Sequence, residues 1–156
     1  MAALPVIRPE PDTTRLARAL ANAIAGEVRF DRHNRLLYAT DASLYQVEPL
    51  GVAIPADIDD AVRVVQFCAE NALPILPRGG GTSLAGQCTN RAVVIDFSNR
   101  CNRLLSTDTA ARTCEVEPGI TIDDLNDALA PTGLFFAPDP ATSGQAALGG
   151  AIGNNA

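Results

Sequence analysis

The chain has little of what several common classes of protein require. Its 12 arginines and lysines stand against 18 acidic residues, for a net charge of −6. Nucleic-acid binding needs a basic surface that displaces counterions from phosphates, so nucleic acid is not expected as a partner. No apolar run approaches the roughly 20 residues that span a bilayer, so no transmembrane segment is expected. No basic segment precedes a long apolar one at the N-terminus. This favours the cytoplasm, either free or at the inner face of a membrane.

Side chains for a metal centre or a nucleophilic triad are also scarce. The cysteines Cys68, Cys88, Cys101 and Cys114 form no CxxC pair, and the single histidine is His33. We therefore expect no metal site, and we interpret the cysteines as reduced, small apolar residues. His33 lies in a charged run, which is more typical of a solvated loop residue than of a catalytic base.

Hydrophobic patterning predicts a first helix and then a strand–helix–strand unit. The first helix runs from Asp12 or Thr13 to about Ala25, with Gly26 as its C-terminal glycine, and residues 28–45 are expected to be irregular with short helical turns. The next strand, helix and two strands are predicted at residues 52–54, 57–71, 73–77 and 93–97. The second helix is expected to bury Ile58, Ala61, Val62, Val65, Cys68, Ala69 and Ala72. The acidic residues Asp57, Asp59 and Asp60 are interpreted as charges suited to its N-terminus.

The pattern changes after residue 100. Residues 104–108 and 113–117 are expected to form an antiparallel pair, followed by a turn at Pro118-Gly119. Thr121 is predicted to cap a helix that ends at about Ala130, with Asp124 at its third position.

A glycine-rich loop follows the predicted strand at residues 73–77. It reads Pro77-Arg78-Gly79-Gly80-Gly81-Thr82-Ser83. Glycines allow positive φ angles and close approach of a ligand, and successive amides can converge on an anion. No lysine follows, which excludes the phosphate loop of NTP hydrolases. The pattern favours a phosphate held by backbone amides, and the alternative is a tight surface loop without a ligand. Arg78 either pairs with a carboxylate or lies close to the phosphate.

A second group of glycines lies near the end of the chain. Gly144, Gly149, Gly150 and Gly153, with the four glycines between 79 and 86, make up 8 of the 12 glycines. This concentration predicts two backbone walls around one ligand. The turn Pro138-Asp139-Pro140 either bonds its own backbone or presents a carboxylate to a ribose or ring edge.

Several segments in order resemble a known family. The segments are residues 38–45, 51–55, 77–87, 93–97, 116–119, 138–140 and 148–150. They resemble the FAD-binding domain of the vanillyl-alcohol-oxidase type (PCMH-type) of flavoprotein, within the D-lactate dehydrogenase, glycolate oxidase and D-2-hydroxyglutarate dehydrogenase branch. The resemblance covers roughly residues 35 to 156. It implies an α+β fold: a small parallel α/β subdomain and the start of a mostly antiparallel second one.

The resemblance also implies a cofactor and its contacts. The expected domains are a helical lead-in at 1–46 and an FAD-binding domain at 47–156 that is incomplete at its C-terminus. The implied FAD contacts are Pro77, Arg78, Gly79, Gly80, Gly81, Thr82, Ser83, Gly86, Gln87, Pro138, Asp139, Thr142, Ser143, Gly149, Gly150, Asn154, Asn155 and also Ala156. Ala147 stands where relatives often have Thr or Ser, so one side-chain contact is expected to be absent. No histidine lies near the glycine loop, so FAD is expected to be non-covalent.

The implied function is oxidation of a D-2-hydroxy acid of the D-lactate, glycolate or 2-hydroxyglutarate type by hydride transfer to FAD. No catalytic residue is expected in this chain, because a missing downstream domain would bind the substrate. We therefore expect an N-terminal fragment, inactive alone, whose electron acceptor the sequence does not identify. Two alternatives stay open: a non-catalytic flavin-binding subunit of an oxidase complex, and an FAD-dependent reductase of cell-wall precursor synthesis.

Overall fold

A computed structural model describes residues 12–155. The predictions for residues 1–11 and for Ala156 lie outside this range. The elements in chain order are α1 (Thr13–Ala23), β1 (Glu27–Arg29), α2 (Arg32–Leu37), β2 (Gly51–Ile54), α3 (Ile58–Glu70), β3 (Ile75–Arg78), β4 (Val93–Asp96), β5 (Leu104–Asp108), β6 (Thr113–Val116), α4 (Ile122–Leu129) and α5 (Leu148–Gly153). A single 3₁₀ turn at Ala130–Thr132 follows α4, and Gly133 ends it with a φ of 73°.

The first part of the molecule is a four-stranded sheet in the order β1-β2-β4-β3. Strand β4 pairs in parallel with β2 and with β3, whereas β1 adds to β2 in the antiparallel direction. All four residues of β4 are buried: the three apolar ones as expected for a strand covered on both faces, and the fourth, Asp96, as a buried carboxylate. The small parallel sheet predicted from the sequence is therefore confirmed.

The two faces of this sheet are covered by different elements. Helices α1 and α3 cover one face, where Leu20, Val64 and Cys68 pack against Ala53 and Ile95. The other face is formed by Val52, Ile54 and Val94, with Tyr38 and Leu76 packed against them. Among the residues that the structure describes, no helix is long and apolar enough to cross a membrane.

The prediction for the buried face of α3 was partly wrong. Ala61 and Cys68 are buried as predicted, but the third apolar residue facing the sheet is Val64. The predicted residues Ile58, Val62, Val65, Ala69 and Ala72 are exposed, the first three at 40%, 48% and 41%. Helix α3 carries two apolar stripes. The one that faces away from the sheet lines a groove of about 600 Å³ against Leu105 and Val116 of the second part.

Asp60 lies in the first turn of α3 as predicted, but it does more than place a charge at the N-terminus of that helix. Its side chain is fully buried, and its carboxylate accepts hydrogen bonds from the backbone N–H groups of Ala25, Gly26 and Ala56 at 3.0, 2.6 and 3.0 Å. Gly26 is not a left-handed helix cap, since its φ is not positive. A Cβ at Gly26 would lie 2.1 Å from the Ile54 carbonyl oxygen, so close packing requires the glycine.

Residues 28–45, predicted to be irregular with short helical turns, contain the short helix α2, and the unpredicted strand β1 ends at Arg29. Asp31 caps α2 by accepting a hydrogen bond from the Asn34 N–H at 3.1 Å. Strand β1 comes from the predicted lead-in and joins the sheet at its edge, through register pairs such as Val28 with Ala53. The boundary between residues 46 and 47 stays a prediction.

The second part begins with the predicted antiparallel pair, which the structure confirms as the ribbon β5–β6. Helix α4 is capped as predicted. The Thr121 hydroxyl accepts from the Asp124 N–H at 3.1 Å and donates to the Asp124 carboxylate at 2.7 Å. Ile122, Leu125 and Leu129 are buried, whereas Ala128 is exposed. The α+β architecture in two parts is confirmed.

Candidate functional site

The glycine loop lies at the carboxyl end of β3, where open α/β sheets bind ligands. We define the amide loop as residues 79–84. Of its three glycines, only Gly81 has a positive φ, at 68°. The conformational argument for glycine therefore applies to one position of the three.

Gly79 and Gly80 are instead required by close packing against the end of the chain. A Cβ at Gly80 would lie 1.9 Å from the Gln145 carbonyl oxygen. A Cβ at Gly79 would lie 2.5 Å from the Cβ of Ala147, which is itself buried. The two glycine groups, far apart in sequence, thus meet in the structure.

The region where they meet is a cleft of about 730 Å³. Twelve of the predicted site residues line it: Pro77, Arg78, Gly79, Gly80, Gly81, Thr82, Ser83, Gln87, Thr142, Gly149, Gly150 and Asn154. Gly86, Pro138, Asp139, Ser143 and Asn155 are not among the lining residues. Eleven further residues line the cleft: Leu76, Leu84, Ala85, Cys88, Phe97, Pro118, Pro140, Ala146, Ala147, Ala151 and Gly153. Gly153 belongs to the glycine group predicted as the second wall, and the other ten, most of them apolar, were not predicted to contact a ligand.

The amide loop presents unpaired hydrogen-bond donors. Among the described residues, no protein acceptor takes the N–H groups of residues 79–84. The next amides are paired, since Ala85 and Gln87 both donate to the Ser83 hydroxyl oxygen, at 3.2 and 3.3 Å. A polar backbone group without a protein partner needs water or a ligand. Six consecutive donors beside a cleft form the kind of site that binds an anion.

A chain of side-chain hydrogen bonds links the two walls of the cleft. The Ser83 hydroxyl donates to Gln87 Oε1 at 2.6 Å, and Gln87 Nε2 donates to Asn154 Oδ1 at 2.7 Å. The Ser83 hydroxyl proton is thus engaged within the protein, and its predicted ligand contact stays a prediction. No hydrogen bond involving the Thr82 hydroxyl occurs within residues 12–155.

The second wall of the cleft is hydrogen-bonded to the segment that follows the ribbon β5–β6. The backbone N–H groups of Leu148 and Gly149 donate to the carbonyls of Ile120 and Pro118, at 2.8 and 2.9 Å. A Cβ at Gly149 would lie 2.7 Å from the Pro118 Cβ, whereas Gly150 has open space. Close packing against Pro118 therefore requires a glycine at position 149, whereas Gly150 leaves space beside the cleft.

Among the described residues that line the cleft, Arg78 is the one that carries a charge. Within residues 12–155 it pairs with no carboxylate; its guanidinium donates to the carbonyls of Tyr38, Thr40 and Cys88, at 3.3, 2.8 and 3.0 Å. Its carbon Cζ lies 5.4 Å from the centre of the Tyr38 ring. This arrangement differs from the carboxylate pair considered from the sequence.

The last residue of β4, Asp96, carries a buried carboxylate. Asp96 is 3% exposed and accepts from the Tyr38 hydroxyl at 2.6 Å, from Ser98 and from Asn99. Burial and then the hydrogen bond to Asp96 raise the pKa of Tyr38 well above its ordinary value of 10.0, so Tyr38 acts as a neutral donor. In the described part of the chain, no three His, Cys, Asp or Glu side chains could together hold a metal ion.

The chain is similar to several curated proteins. It is 36% identical over 160 residues to a D-2-hydroxyglutarate dehydrogenase of Pseudomonas putida, an alignment that covers 100% of this chain and 16% of that protein. It is 35% identical over 136 residues to glycolate oxidase subunit GlcD of Bacillus subtilis, covering 85% of this chain and 29% of that subunit. The chain thus spans less than a third of the length of these relatives.

Solved structures show the same fold. An alkyldihydroxyacetonephosphate synthase superposes with a TM-score of 0.80 at 23% identity, over 94% of this chain and 30% of that one. A 4-ethylphenol oxidase from Gulosibacter chungangensis gives a TM-score of 0.75 at 20% identity, over 88% of this chain and 28% of that one. The family model described as FAD binding domain matches residues 49–156. The chain therefore belongs to the FAD-binding domain family, whose PCMH-type fold the sequence resemblance implied.

Proposed function

We propose that this chain is the FAD-binding part of a flavin-dependent oxidoreductase that oxidises a D-2-hydroxy acid of the 2-hydroxyglutarate, glycolate or D-lactate type. The observation that carries the proposal is the run of unpaired N–H groups at residues 79–84 beside a cleft of about 730 Å³. The relatives named above, which act on 2-hydroxyglutarate and glycolate by their names, support the substrate class.

The residues of the cleft fit FAD. A pyrophosphate is an anion, and the amide loop offers it six N–H donors together with the Thr82 hydroxyl. The lining is otherwise mostly small or apolar, which suits adenine and isoalloxazine rings. Gly150 of the second wall, where a Cβ would meet nothing within 4 Å, lets a flat ring approach the backbone. The remaining predicted contacts, including Asp139 and Asn155, belong to this proposal as outer contacts that do not line the present cleft.

When bound, FAD supplies the two-electron acceptor to which the substrate passes its hydride. The residues of this chain bind and orient the cofactor, and the apolar walls exclude water from it. Among the described residues that line the cleft, the titratable side chains are Arg78 and Cys88, and no histidine or carboxylate, the usual general bases, is present. The groups that bind the hydroxy acid and accept its proton are therefore proposed to lie outside this chain.

We further propose that FAD is held without a covalent bond and that the protein works in the cytoplasm. The single histidine, His33, is exposed on α2 and does not line the cleft. All four cysteines are free, two of them buried, which is typical of proteins kept in a reducing compartment.

The experiment uses the full-length protein that carries this chain. It is expected to purify yellow or to take up FAD, and its flavin absorbance should bleach under anaerobic addition of D-2-hydroxyglutarate, glycolate or D-lactate. Acid precipitation should release the flavin into the supernatant, as for a non-covalent cofactor. A full-length protein that neither contains nor binds FAD would contradict the proposal.

The alternative of a non-catalytic subunit is kept because one relative is itself named a subunit. The same titration distinguishes the two. A flavin that is bound but not reduced by any 2-hydroxy acid, under conditions where dithionite reduces it, supports the subunit.

A further inference from the structure

Arg78, the last residue of β3, connects this strand to two other backbone segments. Its guanidinium donates to the carbonyls of Tyr38 and Thr40, between α2 and β2, and of Cys88, which follows the amide loop. Each of these peptide groups would otherwise need another donor. We call Arg78, Tyr38, Thr40, Asp41 and Cys88 the arginine clamp.

Asp41 completes the clamp from the other side. Its carboxylate accepts from the Cys88 N–H at 3.1 Å, so the two polar backbone groups of Cys88 are held by oppositely charged side chains. The other carboxylate oxygen accepts from the Ser43 N–H at 2.9 Å. Burial alone would raise the pKa of Asp41, but the hydrogen bonds from Ser43 and Cys88 and the nearby Arg78 charge lower it. Asp41 is thus ionised at neutral pH.

The clamp is joined directly to the amide loop. The Ala42 N–H donates to the Gly81 carbonyl at 3.1 Å. Gly81 also lies against the guanidinium, since a Cβ there would be 2.6 Å from Arg78 Nη2. Gly81, which alone among the three glycines of the amide loop has a positive φ, is therefore held by the clamp through both contacts.

We propose that Arg78 is a positioning residue: it fixes the amide loop through the clamp and leaves the pyrophosphate to the backbone amides. This inference rests on the proposed function, because it concerns the site for FAD. The reason is that the guanidinium already donates to three carbonyls, and its charge has Asp41 as a neighbour. If the Arg78 side chain reached into the cleft instead, these three carbonyls would lose their guanidinium donor.

The first test needs no cofactor. Amide hydrogen exchange is compared in the wild-type chain, R78K, R78M and the control R15K, which changes an exposed arginine on α1. A lysine keeps the charge but lacks the planar fork that serves carbonyls in several directions. Protection of the Ala42 and Cys88 amides should fall about tenfold in both Arg78 variants, as expected for one lost hydrogen bond. Protection of Val94 in the central strand should be unchanged, which shows that the sheet stays folded. Unaltered protection at Ala42 and Cys88 would overturn the clamp.

The second test measures the Kd for FAD in the full-length protein at several salt concentrations. We expect R78K and R78M to weaken binding by similar factors of about ten, with the wild-type slope of log Kd against log salt. A phosphate-binding arginine gives the opposite result: R78K binds like wild type, and R78M loses both affinity and salt dependence.

The variant D41N also distinguishes positioning of the amide loop by the clamp from direct binding of the phosphate by Arg78. The clamp predicts weaker FAD binding, because an amide has one acceptor oxygen for the two backbone donors. Direct charge attraction predicts tighter binding, because a negative charge is lost near the phosphate. If the wild-type protein binds no FAD, the proposed function fails, and the exchange experiment alone decides the clamp.

Discussion

At the scale of single residues, Asp60 joins three segments of the first part. Its buried carboxylate accepts three backbone N–H groups and pairs with Arg63 at 2.7 Å. Burial alone would raise its pKa, but the hydrogen bonds from Ala56, Ala25, Arg63 and Gly26 lower the pKa to about 2. Asp60 therefore stabilises the fold in its charged form.

This lowered pKa makes the free energy of unfolding depend on pH. The contribution of Asp60 is complete above its unfolded pKa of about 4 and is lost as the pH falls through about 2, and it amounts to about 2 kcal/mol. Urea unfolding from pH 7 to about 2 should show this loss in the wild type. D60N should be less stable at pH 7 and should lack this part of the pH dependence.

The matched control is D59N, on the exposed side of the same first turn of α3. Losing an exposed charge near a helix N-terminus should cost at most about 1 kcal/mol. Equal losses in D59N and D60N would contradict the role given to Asp60.

Gly80 decides how closely the two walls of the cleft approach. A Cβ there would lie 1.9 Å from a backbone oxygen, so G80A should force the walls apart and lower the free energy of unfolding by about 1–3 kcal/mol. G150A is the control, since a Cβ at Gly150 meets nothing within 4 Å and its φ is not positive. Chemical unfolding without FAD measures both, and a tolerated G80A would argue against direct wall-to-wall packing.

At the scale of the elements, strong local signals in the sequence predicted individual strands and helix starts correctly. The apolar run Val93-Val94-Ile95 predicted the strand β4, and Thr121 with Asp124 predicted the start of α4. Helix α3 could not be oriented from its sequence, because it has apolar residues on two faces. The position of the sheet and of the ribbon β5–β6, set by tertiary packing, decides that Val64 is buried and Val62 is half exposed.

The two faces of α3 should respond differently to truncation. V64A removes methyl groups from a fully buried position and should cost about 1–3 kcal/mol. V62A, at 48% exposure, should change the free energy of unfolding by about 0.5 kcal/mol or less. Both changes carry the same helix propensity, so the difference between their urea midpoints isolates burial. Equal destabilisation would show that α3 faces the sheet differently.

The candidate site could likewise be predicted only where the sequence carries a strong local signal. Glycine spacing and the ordered motifs located both walls. Tertiary close approach, not ligand contact, turned out to explain Gly79, Gly80 and Gly149. Phe97 and Pro118 lie in segments that carry the family resemblance, but nothing in those segments marks either side chain as part of the cleft wall, and only tertiary packing brings them there.

At the scale of the whole molecule, the sheet part supplies the amide loop and the ribbon part supports the opposite wall. The two are tied by the bond from Gln87 to Asn154 and by the Gly79 and Gly80 contacts. A chain with a net charge of −6 can still hold an anionic cofactor here, because local amide dipoles outweigh distant charges. The central claim is that residues 79–84 hold the pyrophosphate of FAD.

The most direct measurement of this claim is amide chemical-shift mapping with FAD, ADP and riboflavin, in the shortest form of the protein that binds FAD. FAD and ADP both carry the pyrophosphate, so both should shift the six amide resonances of residues 79–84. Riboflavin has no phosphate and should leave those resonances in place. FAD binding that shifts resonances elsewhere, such as those of Val62 and Val116 in the groove of α3, and leaves residues 79–84 unchanged would contradict the account.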